Sequence, residues 1–364
     1  MAKHGMFDFT NRIIGFDLLR SIAIFYVFWG HGEILVPNEL KWIYSIPMII
    51  PFEGVSLFFV LSGFLIGVIL NRIIFSTQFK WADVINFWIR RWLRTIPAYL
   101  FVLLLLICLN FLQWQYNFYY FLFSQNLFSN HPVFFSVAWS LSIEEWFYLI
   151  FPGAIFVFSL IFKDKFNILI SISILFLLIP LISRLFYYEN SILEIRKIVI
   201  FRLDSIIYGV IASIIYYHKP KFWLKNRILS ALISLVFLLL LLINNHFYKS
   251  NFENIYIFNL EALSVFFILP LFQSFKRFKS DFLNKAICFS SKISYSLYLV
   301  HGSVVLWFFI RNIEFSDFIL SFRFEIQRVI LFSLYISLSI CLAIALHLCV
   351  ELPFLKIRER NTTT

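Results

Sequence analysis

The sequence predicts an all-α, polytopic integral membrane protein: a bundle of about ten transmembrane helices with both termini cytoplasmic. Three observations carry this. Of 364 residues, 61% are hydrophobic and 14% charged, against roughly 25% charged in a soluble domain. Apolar runs long enough to span a bilayer recur along the whole length. With the N-terminus placed inside, Lys and Arg outside the spans divide 21 on that side to 8 on the other, a clear positive-inside bias. The net charge of +11 is therefore read as cytoplasmic loop charge and not as a nucleic-acid footprint.

The ten candidate spans are roughly 13–31, 47–70, 95–113, 145–162, 167–183, 198–217, 228–243, 254–273, 293–310 and 329–350. A re-entrant piece near Phe118–Phe128, or an eleventh span, stays open. The first run is interrupted by Asp17 and Arg20 and has no small-residue cleavage site after it, so it is expected to remain as a helix. No repeat, low-complexity linker or appended soluble domain is visible, and 1–364 reads as one transmembrane domain. Cys108, Cys288, Cys341 and Cys349 have neither disulfide nor metal-ligand spacing, and no metal site is expected.

Ionisable groups inside spans are costly, and each is a candidate for function. The first span carries Asp17, Arg20 and His31. Asp17 and Arg20 share a helix face and can pair. His31 lies eleven residues past Arg20, on the same side of the helix and about 16 Å further along it. In the second span, Gly54, Gly63 and Gly67 permit close helix approach, and Ser62 is either one more small packing residue or a hydrogen-bond donor to a ligand. Arg90, Arg91 and Arg94 precede the third span, with Pro97 placed to open it. This is either a basic membrane anchor or a phosphate site, since arginine forks chelate phosphate. The segment Trp139–Pro152 takes Glu144 and Glu145 into a helix with Tyr148 one turn beyond Glu144; a carboxylate there can orient an imidazole. Arg202 with Asp204 reads as an ion pair in the sixth span, His301 closes the Ser294–His301 motif of the ninth, and Glu351 with Pro353 ends the last.

Taken together and in order, these segments resemble the acyltransferase family 3 of membrane-bound O-acyltransferases. The resemblance runs from Arg12 to Pro353. It rests on Arg20 with ten residues before His31, on Phe58-Phe59-Val60-Leu61-Ser62-Gly63, on Arg91-Trp92-Leu93-Arg94, and on the Trp139–Tyr148 and Ser294–His301 segments. It implies a cytoplasmic acyl-CoA donor, acetyl-CoA in the first instance, with no permanently bound cofactor. It also implies a glycan acceptor of the cell envelope or an exported polysaccharide, in the bacterial inner membrane. The implied catalytic group is His31 with Arg20 and Glu144. Arg91, Arg94 and Ser62 are donor contacts; Trp139, Glu145, Tyr148, His301, Arg202 and Asp204 are acceptor-side candidates. Lipid is the expected surrounding. Many members carry a further extracytoplasmic hydrolase-like domain. None is visible here, so transfer is expected either from the membrane domain itself or through a separate extracytoplasmic acyl-transfer protein or glycan synthase complex. A second departure is Ser56, where the family pattern has an acid. Two other readings stand beside this one: a transporter of small organic acids or glycan precursors, which buried Arg, Asp and His would also serve, and a structural partner of a glycan synthase. Against a transporter stand the lack of an inverted-repeat hydropathy pattern and the presence of Arg-x-x-Arg.

Overall fold

The structure, a computed structural model, describes residues 12–45, 53–109, 118–187, 189, 191–247, 252–314 and 316–360. Among the described residues there is no strand. Ten helices carry the fold: α1 Ile14–Gly32, α2 Gly54–Ile74, α3 Trp81–Leu109, α4 Ala138–Ile161, α5 Lys165–Tyr187, α6 Leu203–His218, α7 Arg227–Phe247, α8 Glu253–Gln273, α9 Asp281–Glu314 and α10 Phe324–Glu359. Eight are long and apolar enough to cross a membrane. The other two are α1, interrupted by Asp17 and Arg20, and α6, which is 16 residues long. The chain is thus an integral, multi-pass membrane protein, and each helix answers one predicted span.

Boundaries differ where polar residues continue a helix past its apolar run. The 81–94 stretch and the third span form one helix, and Pro97 lies inside it instead of opening it. A proline removes one backbone hydrogen bond, which neighbouring helices can make good within a membrane bundle. The ninth helix begins at Asp281, twelve residues before the predicted start, so Cys288 is buried in a helix and not set in a loop. The predicted opening of the second span (47–52) and end of the third (110–113) lie outside the described residues. Phe118–Phe121 is a single helical turn followed by irregular chain. It forms a cap rather than a span: Tyr99 donates to the Tyr120 carbonyl, and Gln125 and Asn126 donate to Ser142 and to the Trp139 carbonyl at the start of α4.

The most intimate helix pair is α2 with α6. Its cause is glycine. A Cβ at Gly63 would fall 2.0 Å from the Ile206 carbonyl oxygen, and one at Gly209 would fall 2.0 Å from that of Val60. Backbones in such contact exclude any side chain, the packing that small residues allow between membrane helices. Ser62, next in sequence, faces the other way and takes no part in this seam. The α7–α8 pair lies at the periphery: α7 packs chiefly on α8, and much of its surface is exposed apolar side chain, as suits lipid contact.

Candidate active site

Alternating helix directions bring the start of α1, the early turns of α3 and the end of α10 to one end of the bundle. There a cavity of about 730 Å³ opens between α2, α3, α4 and α9, within the range of small-molecule sites. Six guanidinium groups line it: Arg20, Arg72, Arg90, Arg91, Arg94 and Arg358. Two carboxylates, Asp83 and Glu144, accompany them. Deeper in, the walls are Val55, Phe58, Phe59, Ser140 and Tyr298. The cavity is cationic at its mouth and apolar with a few hydroxyls toward its interior.

The arginines are not equally committed. Asp17 is held chiefly by Arg12, with Nε and Nη2 at 2.8 and 2.5 Å, and accepts from Ser291 at 2.7 Å. The expected Asp17–Arg20 pair is present but longer, at 3.4 Å, which leaves most of the Arg20 guanidinium for the cavity. Arg91 pairs with Glu144 at 2.7 Å and lies over the Tyr148 ring, 4.2 Å from its centroid. Tyr148 donates to Glu144 at 2.7 Å and shares a 2.6 Å hydrogen bond with Ser62. Arg72, Arg90 and Arg94 make no ion pair or hydrogen bond among the described residues, and Arg94 lies in the field of Arg20, Arg91 and Arg358. Six like charges against two lining carboxylates favour an anion between them, and planar guanidinium forks suit phosphate oxygens.

Arg20, Ser62, Arg91, Arg94 and Glu144 therefore meet in one cavity. Tyr148 is bonded to that set from behind. Glu145 is buried one layer further back and accepts from Thr95 at 3.0 Å. Trp139 packs edge-on against Phe59, a cavity wall. Glu144 does not orient an imidazole: its carboxylate is taken by Arg91 and Tyr148.

His31 lies at the opposite end of α1, exposed, in its last turn. Its Nδ1 is 2.8 Å from Nε2 of the fully buried His301, with ring centroids 5.1 Å apart. Glu53, Arg196 and Lys197 surround this mouth electrostatically. The two ends are joined by short steps. Tyr298, on the cavity wall, lies one helical turn before His301, its ring 5.8 Å from the imidazole. The Tyr298 hydroxyl is held by Ser140 at 2.6 Å and donates to the Val137 carbonyl at 3.0 Å.

Asp204 stands apart from both places, whereas Arg202 lies between them, near Glu53 and over the Phe59 ring at 5.6 Å. Each is fully buried, and they do not pair with one another as the sequence suggests. Residues two apart do not face each other on a helix, and Arg202 caps α6 from outside it. Asp204 pairs with Arg184 of α5 at 2.6 Å. Arg202 donates to Ser56 at 2.9 Å, approaches Glu53 at 3.5 Å and stacks on Phe258 at 3.9 Å. Ser56 in turn donates to Glu261 of α8 at 2.5 Å. The carboxylate that the family pattern leads one to expect at position 56 thus reaches the same place from another helix.

Sequence reasoning did not single out Arg72, Arg358, Glu261 or Arg184. For Arg358 a signal existed: the helical pattern continues past Pro353 and carries it onto α3. For Glu261 and Arg184 the partners come from distant helices, and no local spacing reveals them.

Comparison with known proteins shows the family. A provisionally named O-acetyltransferase of Staphylococcus aureus strain COL is 28% identical over 94% of this chain and 57% of its own length. The O-acetyltransferase OatA of Staphylococcus aureus strain NCTC 8325 is 26% identical over 80% of this chain and 50% of its own. The chain spans about half the length of these curated relatives, 57% of the first and 50% of the second. No solved structure matches it. The sequence profile of the acyltransferase domain covers residues 13–348, nearly the whole transmembrane bundle, and the chain belongs to the acyltransferase family 3.

Proposed function

We propose that the protein is a membrane O-acyltransferase that moves an acyl group, acetyl in the first instance, from a CoA thioester to a hydroxyl of a cell-envelope or exported polysaccharide. The observation that carries this reading is the cavity: six guanidinium groups against two carboxylates at its mouth, and an apolar interior one helical turn from the His31–His301 pair. A CoA molecule has matching parts. Its phosphates suit Arg91, Arg94, Arg20 and Arg358, and its pantetheine arm suits the passage along Phe58 and Phe59 toward Tyr298. The arginine end is taken as cytoplasmic, in line with the positive-inside bias and with a bacterial inner membrane. The acceptor then approaches from the His31 end.

In the reaction, His31 takes the proton of the acceptor hydroxyl as its oxygen attacks the thioester carbonyl. The C–O bond forms, the C–S bond breaks, and the CoA thiolate receives the proton back from the imidazolium. A transient acyl-imidazole at His31 is the other route the same residue allows. Either way His31 is indispensable to chemistry and absent from the donor's phosphate site.

The test compares wild type with His31→Ala and His31→Gln in liposomes. Acetyl transfer from acetyl-CoA should fall roughly 10²–10⁴-fold in both, because an amide cannot take the proton. The rise in melting temperature caused by acetyl-CoA should persist. If His31→Ala keeps most of its activity, the reading is wrong.

A further inference from the structure

His301 opens a ten-residue π-helical stretch, His301–Ile310, and is fully buried. Phe28 meets it edge-on at 6.2 Å between ring centroids, and Tyr298 and His31 close the remaining sides. Both its nitrogens are engaged. Nδ1 lies 3.0 Å from the Leu297 carbonyl oxygen, and Nε2 lies 2.8 Å from Nδ1 of His31.

These contacts dictate where the protons are. A carbonyl oxygen only accepts, so Nδ1 of His301 carries hydrogen. A second proton on Nε2 would create a cation with no carboxylate against it, in a wholly buried position, and such a cation is strongly disfavoured. Nε2 of His301 is therefore a bare acceptor. The 2.8 Å contact then requires His31 to donate from Nδ1. A neutral His31 with hydrogen on Nδ1 has none on Nε2, and that nitrogen has no partner among the described residues and belongs to an exposed ring.

We propose that His301 is a positioning residue that holds His31 as the Nδ1–H tautomer, so that its Nε2 lone pair faces the incoming hydroxyl. The inference rests on His31 acting as the base. A free histidine side chain favours hydrogen on Nε2, so an unassisted His31 would mostly present a proton where a lone pair is required. The chain Leu297 carbonyl, His301, His31 reverses that preference using one backbone oxygen and one neutral ring. When His31 gains the hydroxyl proton, its Nδ1–H remains bonded to the His301 lone pair, which stabilises the imidazolium until the proton passes to the CoA thiolate. The logic is that of any buried group that fixes the tautomer of a catalytic imidazole, with a second histidine in place of a carboxylate.

The experiment uses the full chain in liposomes, with His301→Phe and His301→Gln. The donor is radiolabelled acetyl-CoA and the acceptor is envelope polysaccharide extracted from the source cells. Phenylalanine keeps the ring and removes the acceptor; glutamine restores an acceptor oxygen near the position of Nε2. His301→Phe should lower kcat about 10²-fold with KM for acetyl-CoA unchanged, and His301→Gln should recover at least roughly tenfold of that loss. Imidazole ¹⁵N shifts, assigned with His31→Asn, should show Nε2 of His31 unprotonated in wild type and in His301→Gln, but protonated in His301→Phe. A kcat within about threefold of wild type for His301→Phe, or a His31 that keeps its Nδ1–H in that variant, overturns the proposal. The nitrogen shifts need no acceptor. If the polysaccharide is not acetylated by wild type while the tautomer still follows residue 301, the acyltransferase reading fails and the positioning role stands.

Discussion

Arg184 on α5 donates from Nε to the Ile255 carbonyl, from one Nη to the Phe201 carbonyl, and from the other to Asp204 and Asn259. Arg94 on α3 donates to nothing among the described residues and faces a cavity that already holds five other guanidinium groups. Both belong to helices of the membrane bundle, where a charged side chain is expensive. In the first region the protein meets that cost with its own acceptors, and the result is a closed polar joint between α5, α6 and α8. In the second it leaves the charges open. A saturated arginine has nothing left to offer a ligand, whereas an unsaturated one keeps its donors available. The degree of internal pairing, more than burial or charge, separates architecture from binding here.

The largest effect that could break this contrast lies at the saturated joint. Replacing Arg184 with Met strands the buried Asp204 carboxylate and should cost about 3–5 kcal/mol, seen as loss of folded protein in a detergent melting assay. The double variant Arg184→Met/Asp204→Leu removes both charges and should recover most of that stability, because an apolar pair of similar volume replaces a buried ion pair at little net cost. If the double variant folds but cannot transfer acetyl, the joint has a role in the reaction as well.

The open arginines should behave in the opposite way. Arg90→Gln/Arg94→Gln should leave the melting temperature within a few degrees of wild type, or raise that of Arg94→Gln alone by easing like-charge repulsion. Acetyl-CoA binding should weaken by about 10–100-fold, since hydrogen bonds to charged groups contribute roughly 1.5–3 kcal/mol each. Calorimetric titration with CoA and 3′-dephospho-CoA checks this; equal binding of both ligands by wild type and variant would return the cluster to the status of a basic membrane anchor. The smallest effect belongs to Arg328–Glu314, a partly exposed pair at 2.9 Å outside both regions. Arg328→Ala should change stability by less than about 1 kcal/mol and leave acetyl-CoA binding unaltered.

Much of the molecule is legible in the sequence because membrane solvation is a strict constraint. The apolar runs locate the ten long helices found among the described residues, and Gly63 marks the α2–α6 seam. Arg91 and Arg94 stand out through residue type and spacing, as a membrane anchor or a phosphate site, and the fold sets both on one cavity. What escapes is pairing between distant helices. Asp204 has Arg202 two positions away, and only the fold shows that its partner is Arg184. His31 and His301 are 270 residues apart, and both could be read from the sequence as ring-bearing candidates, but nothing in it says that one touches the other. Glu261 stands alone in an apolar stretch and gains meaning only when Ser56 is seen against it. The ends of helices escape for a related reason: an apolar window stops where side chains turn polar, although the backbone at Asp281 or Arg358 goes on turning.

The α2–α6 seam has a mechanical consequence. With Gly63 and Gly209 each pressed against the opposing main chain, the two helices cannot slide or part without tearing that contact, and they move as a single beam. Ser62, Phe58 and Phe59 are mounted on this beam, so one side of the cavity is an anvil of fixed position. The facing side is α3, which lacks a backbone hydrogen bond at Pro97, one turn beyond Arg94. Compliance is therefore lopsided: the α2 wall of the cavity is fixed, and any widening comes from the α3, α4 and α9 walls that face it.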